Sequence, residues 1–206
     1  AARMRNKKGT LLMALGLLLL LGAAGLAGYN LWDESRAAES VASVMRQMEQ
    51  IIPAQRELPE GMIPDHELAP EMEMPAVELD GEEYIGYISI PAIGIDLPVM
   101  RTWSYKKLKV APCRYAGSAY LDDLVVCAHN YPHHFGGLIQ LEIGDRVEFI
   151  DIDGNRFEYA VAEKEQLNPE EAARMLSGDW ALSLFTCTLG GQYRTTIRCE
   201  RVAEEI

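Results

Sequence analysis

Three side chains that together can carry out acyl transfer fall at the ends of strand-like runs. Cys187 follows the apolar run 181–186, His129 closes the apolar run 124–128, and Arg194 opens the strand-like run after a glycine-containing loop. A thiolate attacks carbonyl carbon, an imidazole moves the proton that the leaving group needs, and a guanidinium stabilises the oxyanion. These three residue types predict a cysteine acyl-transfer site, provided that the fold brings the three strand ends together.

The remaining thiols offer alternative chemistry. No two cysteines have the C-x-x-C spacing of a structural zinc site. Cys127 and His129 are two residues apart and share a strand face, but this pair lacks further metal ligands. In an exported chain a disulfide is the stronger alternative and can take two of the four cysteines. We expect neither a metal nor a cofactor. The cysteines are Cys113, Cys127, Cys187 and Cys199.

The segment from residue 84 onward must position these side chains, and it is rich in short β-type runs. β-Branched and aromatic residues alternate with turn residues, and the run 145–163 predicts a hairpin around Asp153-Gly154-Asn155. Residues 168–179 carry the signals of a short helix. Many strands with one short helix predict an all-β fold, a closed barrel of about eight strands. The other strand-like runs are 84–99, 124–129, 181–187 and 194–202.

The N-terminal part has a different character, because residues 9–32 carry no charge and include ten leucines. A run of this length can cross a bilayer as a helix. Basic residues precede it and acidic residues follow it, which predicts a cytoplasmic tail over 1–8, a membrane anchor over 9–29 and an extracellular remainder. The expected location is therefore the cell membrane, with a single pass. A cleaved signal peptide, with a small-residue site near Gly25-Leu26-Ala27, is the alternative.

Residues 30–83 predict a helical spacer followed by a linker. Residues 33–52 place apolar side chains at helical spacing. Residues 53–83 contain five prolines and ten acids against one base, a composition that favours a solvated linker. A strip laid over the active site is the alternative. The catalytic barrel is then expected over 84–206. The net charge of −12 argues against a nucleic-acid-binding surface.

Three motifs in order resemble the sortases, the membrane-anchored cysteine transpeptidases of Gram-positive bacteria. The run Ser183-Leu184-Phe185-Thr186-Cys187 is similar to the family's T-L-x-T-C signature, with serine in place of the first threonine. Ala128-His129-Asn130 follows an apolar strand, and Arg194 begins the strand after the cysteine. The resemblance covers about residues 84–202, and the single N-terminal anchor fits it.

The resemblance implies a mechanism and partners. Cys187 attacks the threonine carbonyl of an LPxTG-like sorting signal, His129 protonates the departing glycine amine, and Arg194 holds substrate and oxyanion. Thr186 and Asn130 are expected to contact substrate. The expected partners are surface proteins with C-terminal sorting signals and an amine acceptor, from the peptidoglycan precursor or a pilin. A non-catalytic, membrane-tethered β-domain that binds a surface partner, and an exported cysteine protease, are the alternative functions.

Two departures from the family pattern matter. The gap from Cys187 to Arg194 is short, so Arg198 is the rival arginine on the same strand face. No C-terminal membrane helix and no Asp-Pro-aromatic lid motif within 53–83 are present in the sequence. This favours a class that attaches proteins to the wall over a pilus-polymerising class.

Overall fold

The computed structural model describes residues 7–53, 62–188 and 190–202. The start of the expected cytoplasmic tail, residues 54–61 of the linker, Leu189 and the last four residues lie outside the described residues. Contacts divide the chain into two units, with the boundary between Arg36 and Ala37.

The first unit consists of the N-terminal part of helix α1 (Lys7–Ile51). Its leucines between residues 11 and 31 are more than half exposed. Among the described residues, this helix is the one that is long and apolar enough to cross a membrane. Near the end of the unit, Arg36 donates to the Asp33 carboxylate at 2.8 Å and its guanidinium lies 5.6 Å from the centre of the Trp32 ring.

Within its described residues, the second unit is built on nine strands that form one sheet. Most of them are short and carry β-branched or aromatic side chains, which suit a pleated, half-buried surface. The strands are β1 (Val77–Leu79), β2 (Glu82–Ile90), β3 (Ile95–Met100), β4 (Cys113–Ala116), β5 (Leu124–Cys127), β6 (Arg146–Asp151), β7 (Arg156–Leu167), β8 (Leu182–Cys187) and β9 (Arg194–Arg201).

Eight of these strands close into a barrel. The strand order is β1-β2-β3-β4-β5-β8-β9-β7-β6, and β6 pairs back onto β2, leaving β1 as an added edge strand. Closure requires Gly86, because a Cβ at this position would lie 2.0 Å from the carbonyl oxygen of Ile150 across the β2–β6 pair. Gly86 also has a φ of 146°, which disfavours any other residue. The predicted closed β-barrel is confirmed.

Alternate residues of the strands fill the barrel with apolar side chains. On β8 the inward residues Leu182 and Leu184 are fully buried, and they face Cys199 and Ile197 of β9 in the same register. In a barrel of this size side chains fill the interior. Catalytic groups must therefore lie on the outer face or at the rim.

The part of α1 that belongs to the second unit packs into the same core. Val41, Val44 and Met48 are buried, as is Ile52 just beyond the helix, and all four belong to the main hydrophobic cluster. The expected helix over 33–52 is therefore present, and its apolar face is a structural part of the barrel unit rather than only a spacer. Full burial of such side chains contributes about 1.5–3 kcal/mol each.

Two short helices complete the unit. Helix α2 (Asp65–Leu68) lies within the predicted linker, where His66 stacks on Tyr120 at 4.8 Å and meets the edge of Phe157 at 5.3 Å. In the segment predicted as a helix over 168–179, a 3-10 turn leads into helix α3 (Ala172–Met175), and the rest is irregular.

The four cysteines all lie on described strands, and all four are free thiols. The expectation of a disulfide is therefore wrong. Cys113 and Cys127 are cross-strand partners, but the Cys127 thiol donates to the Cys113 carbonyl oxygen at 3.6 Å instead of bonding to its sulfur.

Candidate active site

Cys187 and Arg194 are direct cross-strand partners at the rim of the barrel. They form the last pair of the antiparallel β8–β9 ladder, beyond which the connecting loop begins. Residues directly opposite each other in such a ladder project on the same face with Cβ atoms about 5 Å apart. Both side chains are partly exposed, so the thiol and the guanidinium are accessible from solvent on one surface.

His129 reaches the same level from the other side of β8. Strands β5 and β8 are parallel, with Cys127 paired to Phe185, and the backbone N–H of Ala128 donates to the Phe185 carbonyl oxygen at 3.2 Å. Two residues further on, this register aligns His129 with Cys187. Neighbouring strands are about 4.8 Å apart, so the three predicted residues form a row of roughly 10 Å with Cys187 in the middle.

Thr186 holds these two strands together just before the row. Its hydroxyl donates to the Ala128 carbonyl oxygen at 2.8 Å and its side chain is 3% exposed. A threonine at this position thus ties β8 to the residue that precedes His129. The structure shows a positioning contact for Thr186, whereas its expected contact with substrate stays a prediction.

The loop after His129 is a compact turn. The backbone N–H of Phe135 returns to the His129 carbonyl oxygen at 3.2 Å, and the N–H groups of His134 and Gly136 both donate to the Tyr131 carbonyl oxygen at 2.9 Å. The Tyr131 ring lies 5.0 Å from the His129 ring. The structure places Asn130, the other expected substrate contact, in this loop beside His129, and its role stays a prediction.

Gly136 is required by this turn, a role that its presence in the sequence alone does not reveal. A Cβ on Gly136 would lie 2.7 Å from the Tyr131 carbonyl oxygen and 2.9 Å from its carbonyl carbon, both rigid backbone atoms. At the adjacent Gly137 the nearest atom is a side-chain methyl carbon of Ile93 at 3.3 Å. A side chain at position 136 would therefore move the backbone that holds His129.

His134 is the buried member of the same loop. It is fully buried, and neither ring nitrogen has a hydrogen-bond partner among the described residues. Its ring lies 5.4 Å from that of Tyr131. Burial lowers the pKa of His134 to about 4, and the nearby histidines His129 and His133 add to the effect. His134 is therefore neutral at physiological pH.

Arg198, the rival of Arg194, is engaged in a structural network. It is 2% exposed, and its Nε donates to the Glu165 carboxylate at 2.9 Å. Nη1 donates to the hydroxyl of Ser183 at 2.8 Å and to the Met175 carbonyl oxygen at 3.1 Å. Nη2 donates to the Arg174 carbonyl oxygen. This arginine holds α3 against the outer face of β8 and β9.

This network explains why residue 183 carries a hydroxyl group, which serine shares with the first threonine of the family signature. Ser183 is cross-strand partner to Arg198 and accepts its hydrogen bond, so a hydroxyl is needed at this position. In contrast, within the described residues Arg194 donates from Nη1 only to the backbone carbonyl oxygens of Gly191 and Tyr193, at 3.2 and 3.3 Å. Its guanidinium retains further N–H groups that can turn toward a substrate.

The other three thiols are buried and differ from Cys187 in this respect. Burial raises the pKa of Cys113 to about 12 and raises the pKa of Cys199 to about 12. It also raises the pKa of Cys127, with small contributions from the charges of Cys113 and Cys187. Since the thiolate is the nucleophile, these three cysteines are unreactive in the folded domain. Cys187 is the one cysteine that is partly exposed.

Metal chemistry finds no support at this site. Within the described residues, no group of three or more histidine, cysteine, aspartate or glutamate side chains is arranged to hold a metal ion. Cys127 and His129 therefore remain a pair without the additional ligands that a metal site needs.

The family model for the sortase domain matches residues 88–202, more than half of the chain. The chain therefore belongs to the sortase family. No curated protein sequence matches it.

Solved structures of class C sortases share the fold. Sortase C1 from Streptococcus agalactiae is 24% identical with a TM-score of 0.55, over 71% of this chain and 80% of that one. Sortase C from Clostridium perfringens, solved with the C-terminal cell wall sorting motif, is 26% identical with a TM-score of 0.51, over 58% of this chain and 71% of that one. Sortase C1 from Streptococcus suis is 27% identical with a TM-score of 0.50, over 60% and 76%.

Proposed function

We propose that this protein is a cysteine transpeptidase whose catalytic residues are Cys187, His129 and Arg194. Membership of the sortase family implies this chemistry. The observation that carries the assignment is the strand register. Cys187 pairs with Arg194, and the β5–β8 register, continued two residues past the Cys127–Phe185 pair, brings His129 level with Cys187.

In the first half-reaction, the Cys187 thiolate attacks the threonine carbonyl carbon of an LPxTG-like sorting signal. The Arg194 guanidinium donates to the oxyanion of the tetrahedral intermediate. His129 gives a proton to the glycine nitrogen as the carbon–nitrogen bond breaks, which leaves an acyl-enzyme thioester. His129 and Arg194 flank Cys187, so acid and oxyanion donor serve opposite sides of the reacting carbon.

In the second half-reaction, an amine attacks the thioester. His129 removes the proton from the attacking nitrogen, an amide bond forms and the Cys187 thiolate leaves. The acceptor is an amine of the peptidoglycan precursor or a pilin lysine. The lack of an Asp-Pro-aromatic motif within residues 53–83 favours the wall acceptor. In contrast, the similar structures named above are sortases C, and another, sortase C from Streptococcus pneumoniae, is described for its pilin substrate specificity.

The proposed setting is a membrane anchor over residues 9–29 with a cytoplasmic tail over 1–8 and the catalytic barrel outside the cell. The uncharged, exposed helical segment of the first unit supports this arrangement. The barrel domain is proposed over 84–206, after the segment 30–83. The C-terminal turns of α1 and strand β1 pack with the barrel in the same unit.

The described part of the predicted linker supports a structural role for that segment. Helix α2 packs through His66 on Phe157, and the Arg201 guanidinium lies 4.6 Å from the centre of the same Phe157 ring. Arg201 is seven residues from Arg194 along β9, a distance of roughly 23 Å. Helix α2 therefore packs near the end of β9 that is remote from Cys187.

A non-catalytic role requires Cys187 to be buried and disulfide-bonded, and it is neither. Product analysis tests the proposal against the remaining alternative, a protease. Purified protein is incubated with a sorting-signal peptide, with and without a primary amine, and the products are identified by mass spectrometry. A transpeptidase forms an amide with the amine after cleavage between threonine and glycine. Release of free acid alone at saturating amine indicates a protease, and an uncleaved peptide overturns both.

A further inference from the structure

A row of aromatic rings leads away from the proposed nucleophile across the outer face of the barrel. Phe185 lies two residues before Cys187 on β8 and therefore on the same face of that strand. Its ring meets the Tyr115 ring of β4 edge-on at 5.2 Å. Tyr115 in turn lies 5.3 Å from Trp103, and Trp103 lies 5.7 Å from Tyr105.

The outer half of this row is exposed to solvent. Trp103 is 41% exposed and Tyr105 is 77% exposed, in the segment that joins β3 to β4. Large exposed aromatic side chains that continue a binding site mark an interaction surface, because their burial on binding contributes strongly to affinity.

The same segment carries positive charge in an otherwise acidic protein. Residues 101–114 contain five basic residues and no acidic one. Arg101 pairs with Glu73 and Glu83, and Lys107 pairs with Glu82 at 3.0 Å. Lys106 and Lys109 are exposed and have no ion pair within the described part of the chain. The segment therefore carries two exposed cations within four residues of Tyr105 in the sequence.

We propose that Trp103 and Tyr105, with Lys106 and Lys109, bind the stretch of substrate polypeptide that precedes the sorting signal. This inference rests on the proposed function. We choose the substrate polypeptide as the ligand because the row of rings starts on the strand face that carries Cys187. An extended peptide lying over Phe185 and Tyr115 reaches Trp103 next.

The direction of the peptide follows from the proposed roles. His129 serves the departing amine, and the loop that it begins lies beyond the end of β5. The leaving part of the substrate thus exits past the strand ends. The acyl part runs the opposite way, back over Phe185 and along the aromatic row.

The chemistry of the surface defines the preferred sequence of this stretch. Aromatic faces favour proline and other apolar side chains in an extended backbone, and lysine ammonium groups favour carboxylates. We therefore expect selection for substrates in which proline and glutamate or aspartate precede the sorting signal.

The test compares two peptides in the full-length protein. The core peptide contains only the sorting signal with short flanks, and the extended peptide adds ten N-terminal residues that include prolines and glutamates. The wild type is expected to use the extended peptide with about tenfold higher kcat/KM, mainly through KM. Tyr105→Ala and Trp103→Ala should reduce this ratio to near one.

Leu121→Ala provides the matched control, because Leu121 is 50% exposed and adjoins Asp122, which pairs with Arg201 at the remote end of β9. It should keep the wild-type ratio. Tyr105 is so exposed that its replacement leaves the fold intact, and unchanged melting confirms this. A wild-type ratio near one, or a ratio that survives Tyr105→Ala and Trp103→Ala, overturns the inference but not the proposed function. Failure of the proposed function shows instead as no cleavage of either peptide.

Discussion

Replacing each of the two arginines of β9 separates a structural role from a catalytic one. Arg198→Ala should destabilise the domain strongly. It removes an ion pair with Glu165 and hydrogen bonds to the Ser183 hydroxyl and the Met175 carbonyl oxygen. The last two groups then lose this partner, whereas Glu165 keeps its ion pair with Arg174 at 2.9 Å. Each buried polar group that is left without its partner costs about 1–3 kcal/mol, so the two together cost roughly 3–5 kcal/mol. In a domain of this size each kcal/mol lowers Tm by about 2–4 °C. We therefore expect Tm to fall by roughly 6–20 °C.

Arg194→Ala should behave in the opposite way. Arg194 is partly exposed and donates only to two loop carbonyl oxygens at 3.2 and 3.3 Å, so its removal should lower Tm by no more than about 3 °C. Loss of one oxyanion donor costs about 10² in kcat. Lysine should be a poor substitute, because it lacks the planar fork of donors.

The assay combines thermal melting, followed by circular dichroism, with steady-state kinetics on a sorting-signal peptide at a temperature where each variant is folded. Arg198→Ala should keep kcat within about tenfold under these conditions, and Arg198→Met, which retains the aliphatic packing, should recover part of the lost stability. The assignment of a structural role to Arg198 and a catalytic role to Arg194 is refuted if the folded Arg198→Ala variant loses more kcat than Arg194→Ala. It is refuted equally if Arg194→Ala melts as low as Arg198→Ala.

Three further predictions concern the loop and strand ends that hold His129. Gly136→Ala should reduce kcat/KM at least tenfold, because the added Cβ would lie 2.7 Å from the Tyr131 carbonyl oxygen. The control variant Gly137→Ala should keep kcat/KM within threefold of the wild type in the same assay. Equal losses in the two variants would contradict the role given to Gly136. Thr186→Val should lower kcat about three- to tenfold with little change in KM, because it removes the hydroxyl that donates to the Ala128 carbonyl oxygen at 2.8 Å. A selective rise in KM would instead favour a contact between Thr186 and substrate. Burial lowers the pKa of His134 to about 4 in the folded state, against 6.5 in the unfolded state. As the pH falls from 6.5 to 4, the unfolded state binds the proton first. The free energy of unfolding should therefore fall by up to about 3 kcal/mol over this range. Urea titrations across this pH range should show that the free energy of unfolding depends less on pH in His134→Phe than in the wild type. The same pH dependence in both proteins would show that His134 does not cause the loss of stability.

Local patterns are enough to predict the strands that carry the catalytic groups. The hairpin around Asp153-Gly154-Asn155 and the pairing of the last two strands across Gly190-Gly191 involve neighbours in sequence, and their turn residues define where each strand ends. The positions of Cys187 and Arg194 at strand ends follow directly from these patterns.

The relation of His129 to Cys187 cannot be obtained in this way. It depends on the parallel pairing of β5 with β8, two strands separated by more than fifty residues, and the register of such a pair is set by tertiary packing. The resemblance to a family supplied this relation where spacing could not.

The buried contacts of Arg198 and of α1 likewise cannot be predicted from the sequence. An arginine in a strand pattern can face solvent or a partner, and only the fold places Glu165 and the Met175 carbonyl of α3 against it. The apolar face of residues 37–52 predicted an amphipathic helix, but its partner surface exists only once the barrel has closed. The cysteines are a further example. The expected extracellular location favoured a disulfide, whereas the fold leaves all four cysteines as free thiols.

The most direct test of the central claim is the identity of the residue that carries the acyl group. The full-length protein is mixed with a sorting-signal peptide in the absence of an amine, quenched in acid and analysed by intact-mass and peptide mass spectrometry. We predict a thioester on Cys187 in the wild type and in Cys127→Ala, and none in Cys187→Ala, which should still melt as a folded barrel. An acyl group on Cys127, or an adduct that persists in Cys187→Ala, would contradict the assignment of Cys187 as the nucleophile.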